Sequence, residues 1–118
     1  MKNDKLQIRL RMRVYRDQVI AVGPGKITLL EAIDQTGSIS AAARHLGMSY
    51  RRAWLLVNET NQSLNNPAVV SSEGGASGGG TKLTDTGRQL IQLYRTAEDK
   101  AMAAAKTEFD ALTKLLKN

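Results

Sequence analysis

No cysteine occurs among the 118 residues, and histidine occurs once, as His45. The first absence excludes disulfides, thiolate zinc sites, iron–sulfur clusters and cysteine nucleophiles, and the second excludes any site built on two imidazoles. No uncharged apolar run approaches the ~18 residues of a membrane-spanning helix, and Met1 to Val14 has no continuous apolar stretch resembling a secretory signal. A cytoplasmic location is therefore expected. The Gly-x-x-x-x-Gly-Lys-Ser/Thr phosphate cradle is missing, and the carboxylates form no recognisable constellation with His45. The chain reads as a non-enzyme with no catalytic, cofactor or metal site.

What is present is an ordinary globular composition, 42% hydrophobic and 24% charged. A chain this short forms one core, since separate cores arise only well beyond ~150 residues. The net charge of +6 points to a polyanion or an anionic membrane surface as partner. The excess is clustered: residues 1–26 hold seven basic residues, among them Arg9, Arg11, Arg13, Arg16 and Lys26, against two acidic ones.

From Leu6 to Val14, apolar residues alternate with Gln7, Arg9, Arg11 and Arg13, the period of a half-buried strand. Such arginines either solvate an edge or contact phosphates. The Val22 to Gly25 stretch breaks the pattern, and a first helix is expected from about Lys26, stopped by Gly37. Ser38 caps a short alanine-rich helix ending at Gly47, and Ser49 caps a third running to about Leu64.

Small Ala42 and Ala43 with Leu46, a Gly47 turn, then Met48, Ala53 and Leu56 have the spacing of a helix-turn-helix, in which alanines permit close crossing and glycine the sharp turn. On the third helix Ala53, Leu56, Val57, Thr60 and Leu64 share one side, leaving Arg51, Leu55, Asn58 and Gln62 on the other. Arg51 and Arg52 in its first turn oppose the helix dipole, so a negative partner is expected to offset them. An arginine fork bonds guanine bidentately, worth ~1–3 kcal/mol of base discrimination. Tyr50 and Trp54 flank the apolar side, and Trp54 is read as core packing. His45 is read as an ordinary surface or half-buried imidazole, and Arg44 as a possible backbone contact.

Two short strands near Ala68–Ser71 and Thr81–Leu83 bracket five glycines between Gly74 and Gly80. Too little chain follows for the loop to be an interdomain linker, and the reading that survives is a wing, with Ser77, Gly78 and Lys82 touching the DNA backbone or minor groove. Thr84 caps a final helix whose stripe comprises Leu90, Tyr94, Ala97, Ala101, Ala105, Phe109, Leu112 and Leu116. A helix of ~30 residues extends ~45 Å, beyond any core this chain can build, so a homodimer through this stripe is expected.

Gly37-Ser38-Ile39-Ser40-Ala41-Ala42-Ala43, Met48-Ser49-Tyr50-Arg51-Arg52-Ala53-Trp54, the Gly74 to Gly80 run and Leu83-Thr84-Asp85-Thr86-Gly87 resemble the amino-terminal winged-helix domain of ModE-type molybdenum-responsive regulators over residues 6–95. A weaker similarity extends to the LysR group. The resemblance implies a dimeric operator binder, with major-groove contact by Ser49, Tyr50, Arg51 and Arg52 and wing contact by the Gly74 to Gly80 loop. ModE regulators of the full-length kind add carboxy-terminal oxyanion-binding modules, whereas this sequence stops at Asn118, so no molybdate site is expected in it.

The fold expected is mainly α with a small antiparallel β-sheet: a winged helix-turn-helix over residues 1–88, with 89–118 as the long C-terminal dimerisation helix of the same domain. The expected partners are double-stranded DNA and a second copy, not a membrane. The expected contacts with DNA are Ser38, Ser49, Tyr50, Arg51, Arg52, Leu55, Asn58, Ser77, Gly78 and Lys82, the recognition helix being about 49–64 and the wing 73–82. The alternative is a protein-interaction module on the same scaffold that has lost DNA binding.

Overall fold

The computed structural model describes residues 5–72 and 80–117. Its elements are β1 (Val14–Arg16), β2 (Val19–Val22), α1 (Pro24–Thr36), α2 (Ile39–Leu46), α3 (Tyr50–Ser63), β3 (Val69–Ser72), β4 (Gly80–Leu83), α4 (Asp85–Ala104) and α5 (Lys106–Lys114). Helices dominate, and the strands form two antiparallel pairs, β1 with β2 and β3 with β4. This is the architecture of a winged helix-turn-helix.

The alternating segment from Leu6 does not form the expected strand. Residues 5–13 have no regular secondary structure, and pairing begins only at Val14, opposite Val22. A strand needs a neighbour for its backbone groups, and β2 is only four residues long. Extending the ladder would require Gly23 and Pro24, yet proline has no N–H to donate and instead occupies the first turn of α1, where none is needed. Helix α1 consequently starts two residues ahead of Lys26.

Helix α1 is the centre of the molecule. Ile27, Leu29, Leu30 and Ile33 are fully buried and join Ala42, Ala43, Ala53, Val57, Leu83 and Tyr94 in one core. Gly37 ends α1 in the left-handed region at φ 71°, where a side chain would be strained, and its amide closes on the Ile33 carbonyl at 2.7 Å. Ser38 and Ser49 cap α2 and α3 as expected, accepting the Ala41 and Arg52 amides at 3.1 Å. Ala42 and Ala53 have no accessible surface, which is the close crossing that the alanine spacing predicts.

Two polar devices lock the helices together. The Lys26 ammonium, 6% exposed, pairs with Glu59 at 3.2 Å and donates to the Ile20 carbonyl, joining α1 to α3 and β2. Lys26 therefore serves the protomer's interior, although it counts toward the basic cluster in sequence. Arg95 forks onto Glu31 at 2.7 and 3.0 Å and onto Glu98 at 2.7 Å, holding α4 against α1. Both carboxylates raise the affinity of this guanidinium for its proton.

The carboxy-terminal helix is bent, not continuous. Ala105 leaves helical geometry at φ −102° and ψ 15°, while its amide still reaches the Ala101 carbonyl and its carbonyl still accepts the Phe109 amide. Helix α5 ends at Lys114, so Leu116 lies past it. No glycine or proline marks the bend, and a repeat of apolar positions reads straight through it.

Candidate nucleic-acid interface

Helix α3 presents three sides. Ala53, Val57 and Thr60 are buried against α1 and α2, whereas Arg51, Arg52, Leu55 and Gln62 are exposed and Asn58 is half-buried. Arg51 and Arg52 make no ion pair or side-chain hydrogen bond among the described residues, despite standing in the helix's positive first turn. Ser49 uses its oxygen to cap α3, accepting the Arg52 amide.

On one flank of that exposed side, a cleft of about 620 Å³ opens between α3 and the amino-terminal residues. Arg11, Arg13 and Arg52 share it with Leu55 and the Lys26–Glu59 pair. The fold thus brings two of the three alternating arginines to α3 without a strand. Arg9 lies elsewhere, bonded to Gln7 at 2.7 Å.

On the other flank, a notch of about 280 Å³ lies between α3, the α1–α2 turn and the root of the β3–β4 pair. Ser38, Ser40, Tyr50, Trp54, Ser71 and Thr81 line it. Trp54 is a correction: its indole is 46% exposed and Tyr50 beside it 54%, so neither closes the core. The core is already filled by aliphatic residues of α1, leaving no volume for an indole. The missing signal was position: both aromatics lie on the same flank as Asn61, which grips β3, so that flank faces the strands.

Asn61 was not anticipated. Its side-chain oxygen accepts the Ala68 and Val69 amides at 2.8 and 3.1 Å, and its nitrogen donates to the Val69 carbonyl at 3.1 Å. An asparagine on a helix flank followed by a short loop and a strand is the only trace in sequence. Lys82 is exposed on β4, between inward-facing Thr81 and Leu83. Ser77 and Gly78 lie outside the described residues. Arg44 and His45 are exposed in the last turn of α2.

Along the expected dimer stripe, Leu90 and Tyr94 are spent on the protomer's own core: Tyr94 is 3% exposed and donates its hydroxyl to the Met12 carbonyl at 2.7 Å. Ala97, Ala105 and Phe109 are half-buried, Ala101 is exposed, and Leu112, Leu115 and Leu116 protrude at 53%, 86% and 50% exposure. Helix α5 buries none of its residues.

Residues 25–88 match the family described as bacterial regulatory helix-turn-helix protein, lysR family. The chain is 40% identical over 94 residues to the molybdenum transport protein ModE of Azotobacter vinelandii, covering 80% of this chain and 35% of that protein. It is 40% identical over 89 residues to the DNA-binding transcriptional dual regulator ModE of Escherichia coli strain K12, covering 75% and 32%. It is 47% identical over 77 residues to the molybdenum-pterin-binding protein MopB of Rhodobacter capsulatus, covering 65% and 28%. The chain spans about a third of the length of these curated relatives, in their amino-terminal part.

Proposed function

The chain belongs to the lysR family of bacterial regulatory helix-turn-helix proteins, and on that premise we propose that it is a sequence-specific DNA-binding transcription regulator that acts as a homodimer. Helix α3 enters the major groove, Arg51 and Arg52 supply much of the base choice, and the wing over residues 73–82 meets the backbone or minor groove. Arg11, Arg13 and Lys82 add phosphate contacts and hence salt-sensitive affinity. Residues 1–88 carry this reading unit and 89–118 the dimer contact.

The observation that supports the reading most strongly is the exposed side of α3. Two arginines of one helical turn project there with no acidic partner among the described residues, unlike Arg88 and Arg95, and Arg11 and Arg13 reach the same cleft as Arg52. Homodimer formation is supported by the protruding leucines beyond Ala105. Helix α5 buries none of its own residues in the protomer, which leaves its apolar positions for a second copy. A twofold dimer would place two α3 helices in grooves one turn apart, ~34 Å, or a multiple of it.

A gel shift of random duplex at low salt tests the class of function. Retardation is expected. Its absence, with the chain folded, favours a protein-interaction module instead.

A further inference from the structure

The aromatic residues on the wing-facing flank of α3 lie outside the core. Trp54 and Tyr50 stand one turn apart at the mouth of the notch, each about half exposed. Keeping an indole at the surface forgoes the apolar burial that usually retains it inside. The residues lining the notch include no ionised side chain.

What they do include is an excess of hydrogen-bond donors. The Trp54 indole N–H donates only, and the Tyr50 hydroxyl carries a proton. Ser38 accepts the Ala41 amide and so retains its own hydroxyl proton for an outside acceptor. Ser71 and Thr81 share one bond at 3.2 Å, which leaves one of their two protons to give. The start of α2, whose first amides lack partners within the helix, opens beside them. Such a set suits an anionic oxygen that arrives with its own apolar sugar.

We propose that this notch docks the sugar-phosphate backbone of one DNA strand through uncharged groups, with Trp54 as the main contact. The inference rests on the reading that the chain binds duplex DNA. A strand is favoured over a free small ligand because the notch is open along one side and adjoins the exposed side of α3, whereas small-ligand sites enclose most of their ligand's surface. Its register is rigid, since the Thr81 amide bonds the Gly37 carbonyl at 3.0 Å and so seats the wing root on the α1–α2 turn. The physical signature is distinctive. Lysine and arginine contacts release counterions and steepen the dependence on salt, whereas neutral donors and a ring stacked on a sugar do not.

Trp54 is the only tryptophan, so its emission reports the contact directly in the full chain. Titration with a duplex should change that emission saturably, with the same midpoint as the anisotropy of the labelled duplex. Trp54→Ala should weaken binding about tenfold at every salt concentration and leave the salt slope unchanged. Trp54→Phe, which keeps a ring but loses the N–H, should fall between, while Lys82→Ala should flatten the slope. Unchanged emission on binding, unchanged affinity of Trp54→Ala, or a loss restricted to one base sequence would overturn the backbone contact with the DNA-binding reading intact. Failure of the wild-type chain to bind any duplex at low salt would remove both.

Discussion

The carbonyl of Gly37 accepts the amide of Thr81 at 3.0 Å, so the Ser71–Thr81 pair of the β3–β4 ladder is fastened to the turn that also launches the helix-turn-helix. The two meet closely enough that a side chain added at Gly80 would stand 3.3 Å from the same carbonyl. Together with Asn61, which holds the start of β3, this bond fixes the wing's root relative to α3 from both of its strands. Helix α3 and the β3–β4 ladder are thereby tied to each other.

Asn61→Ala should therefore destabilise the chain and loosen the wing together. Ala68 is fully buried, and each of the amides left without a partner costs about 1–3 kcal/mol. Asn61→Asp keeps both accepting contacts but sets a carboxylate oxygen against the Val69 carbonyl where the amide donated, so it too should lose stability. Urea unfolding ranks the two, and equal stability of Asn61→Ala and the wild type would refute the role.

On the same stretch that Asn61 grips, just before β3, Gly87 lies against the Ala68 backbone. A Cβ there would sit 2.3 Å from the Ala68 carbonyl oxygen, a contact that only displacement of α4 can relieve. Alanine is intrinsically better than glycine in a helix by about 1 kcal/mol, while overpacking costs about 1–3 kcal/mol. Gly87→Ala should thus show a net loss in chemical denaturation, where the helix preference alone would give a gain.

Tyr94 links α4 to Met12, and its ionisation should mark the alkaline limit of stability. Burial, and then the carboxylate of Glu98, push its phenol above the ordinary 10.0, against opposition from Arg95, Arg11 and Arg13. Below that ordinary value both folded and unfolded chains carry the proton, and the contribution is fully present. As the pH climbs from it toward the folded value, the unfolded chain ionises first and stability is lost. Tyr94→Phe should be less stable at neutral pH by about 1 kcal/mol, but should lose less than the wild type between about pH 9 and pH 11. Identical losses would assign the alkaline effect elsewhere.

The leucines beyond the bend give a prediction about assembly. Leu112→Glu with Leu116→Glu should convert a sedimenting dimer to a monomer with little change in thermal stability of the reading unit, because neither side chain is in the core. A wild-type chain that sediments as a monomer at tens of micromolar, on the order of ordinary interface affinities, would contradict dimerisation through α5.

Much of this was legible in sequence because the signals were local. Ser38, Ser49 and Thr84 announce helix starts, Gly37 and Gly47 announce stops, and the alanines of α2 and α3 announce a close crossing, each through chemistry confined to one turn. The failures were non-local. The alternation before Val14 predicts a strand, but a strand exists only where a neighbour offers free backbone groups, and Pro24 ends that supply. Trp54 reads as core until the aliphatic side chains of α1 are seen to fill the interior. The bend at Ala105 and the buried charge of Lys26 depend on packing that no spacing rule encodes.

The central claim, that the exposed side of α3 reads DNA, is tested most directly by anisotropy titrations of a duplex selected from genomic fragments against a random duplex, using the wild type and Arg51→Ala. The wild type should prefer the selected duplex, and Arg51→Ala should lose ~1–3 kcal/mol of that preference at one position per half-site while remaining folded. Equal losses of affinity for both duplexes, or no loss for either, would contradict the account.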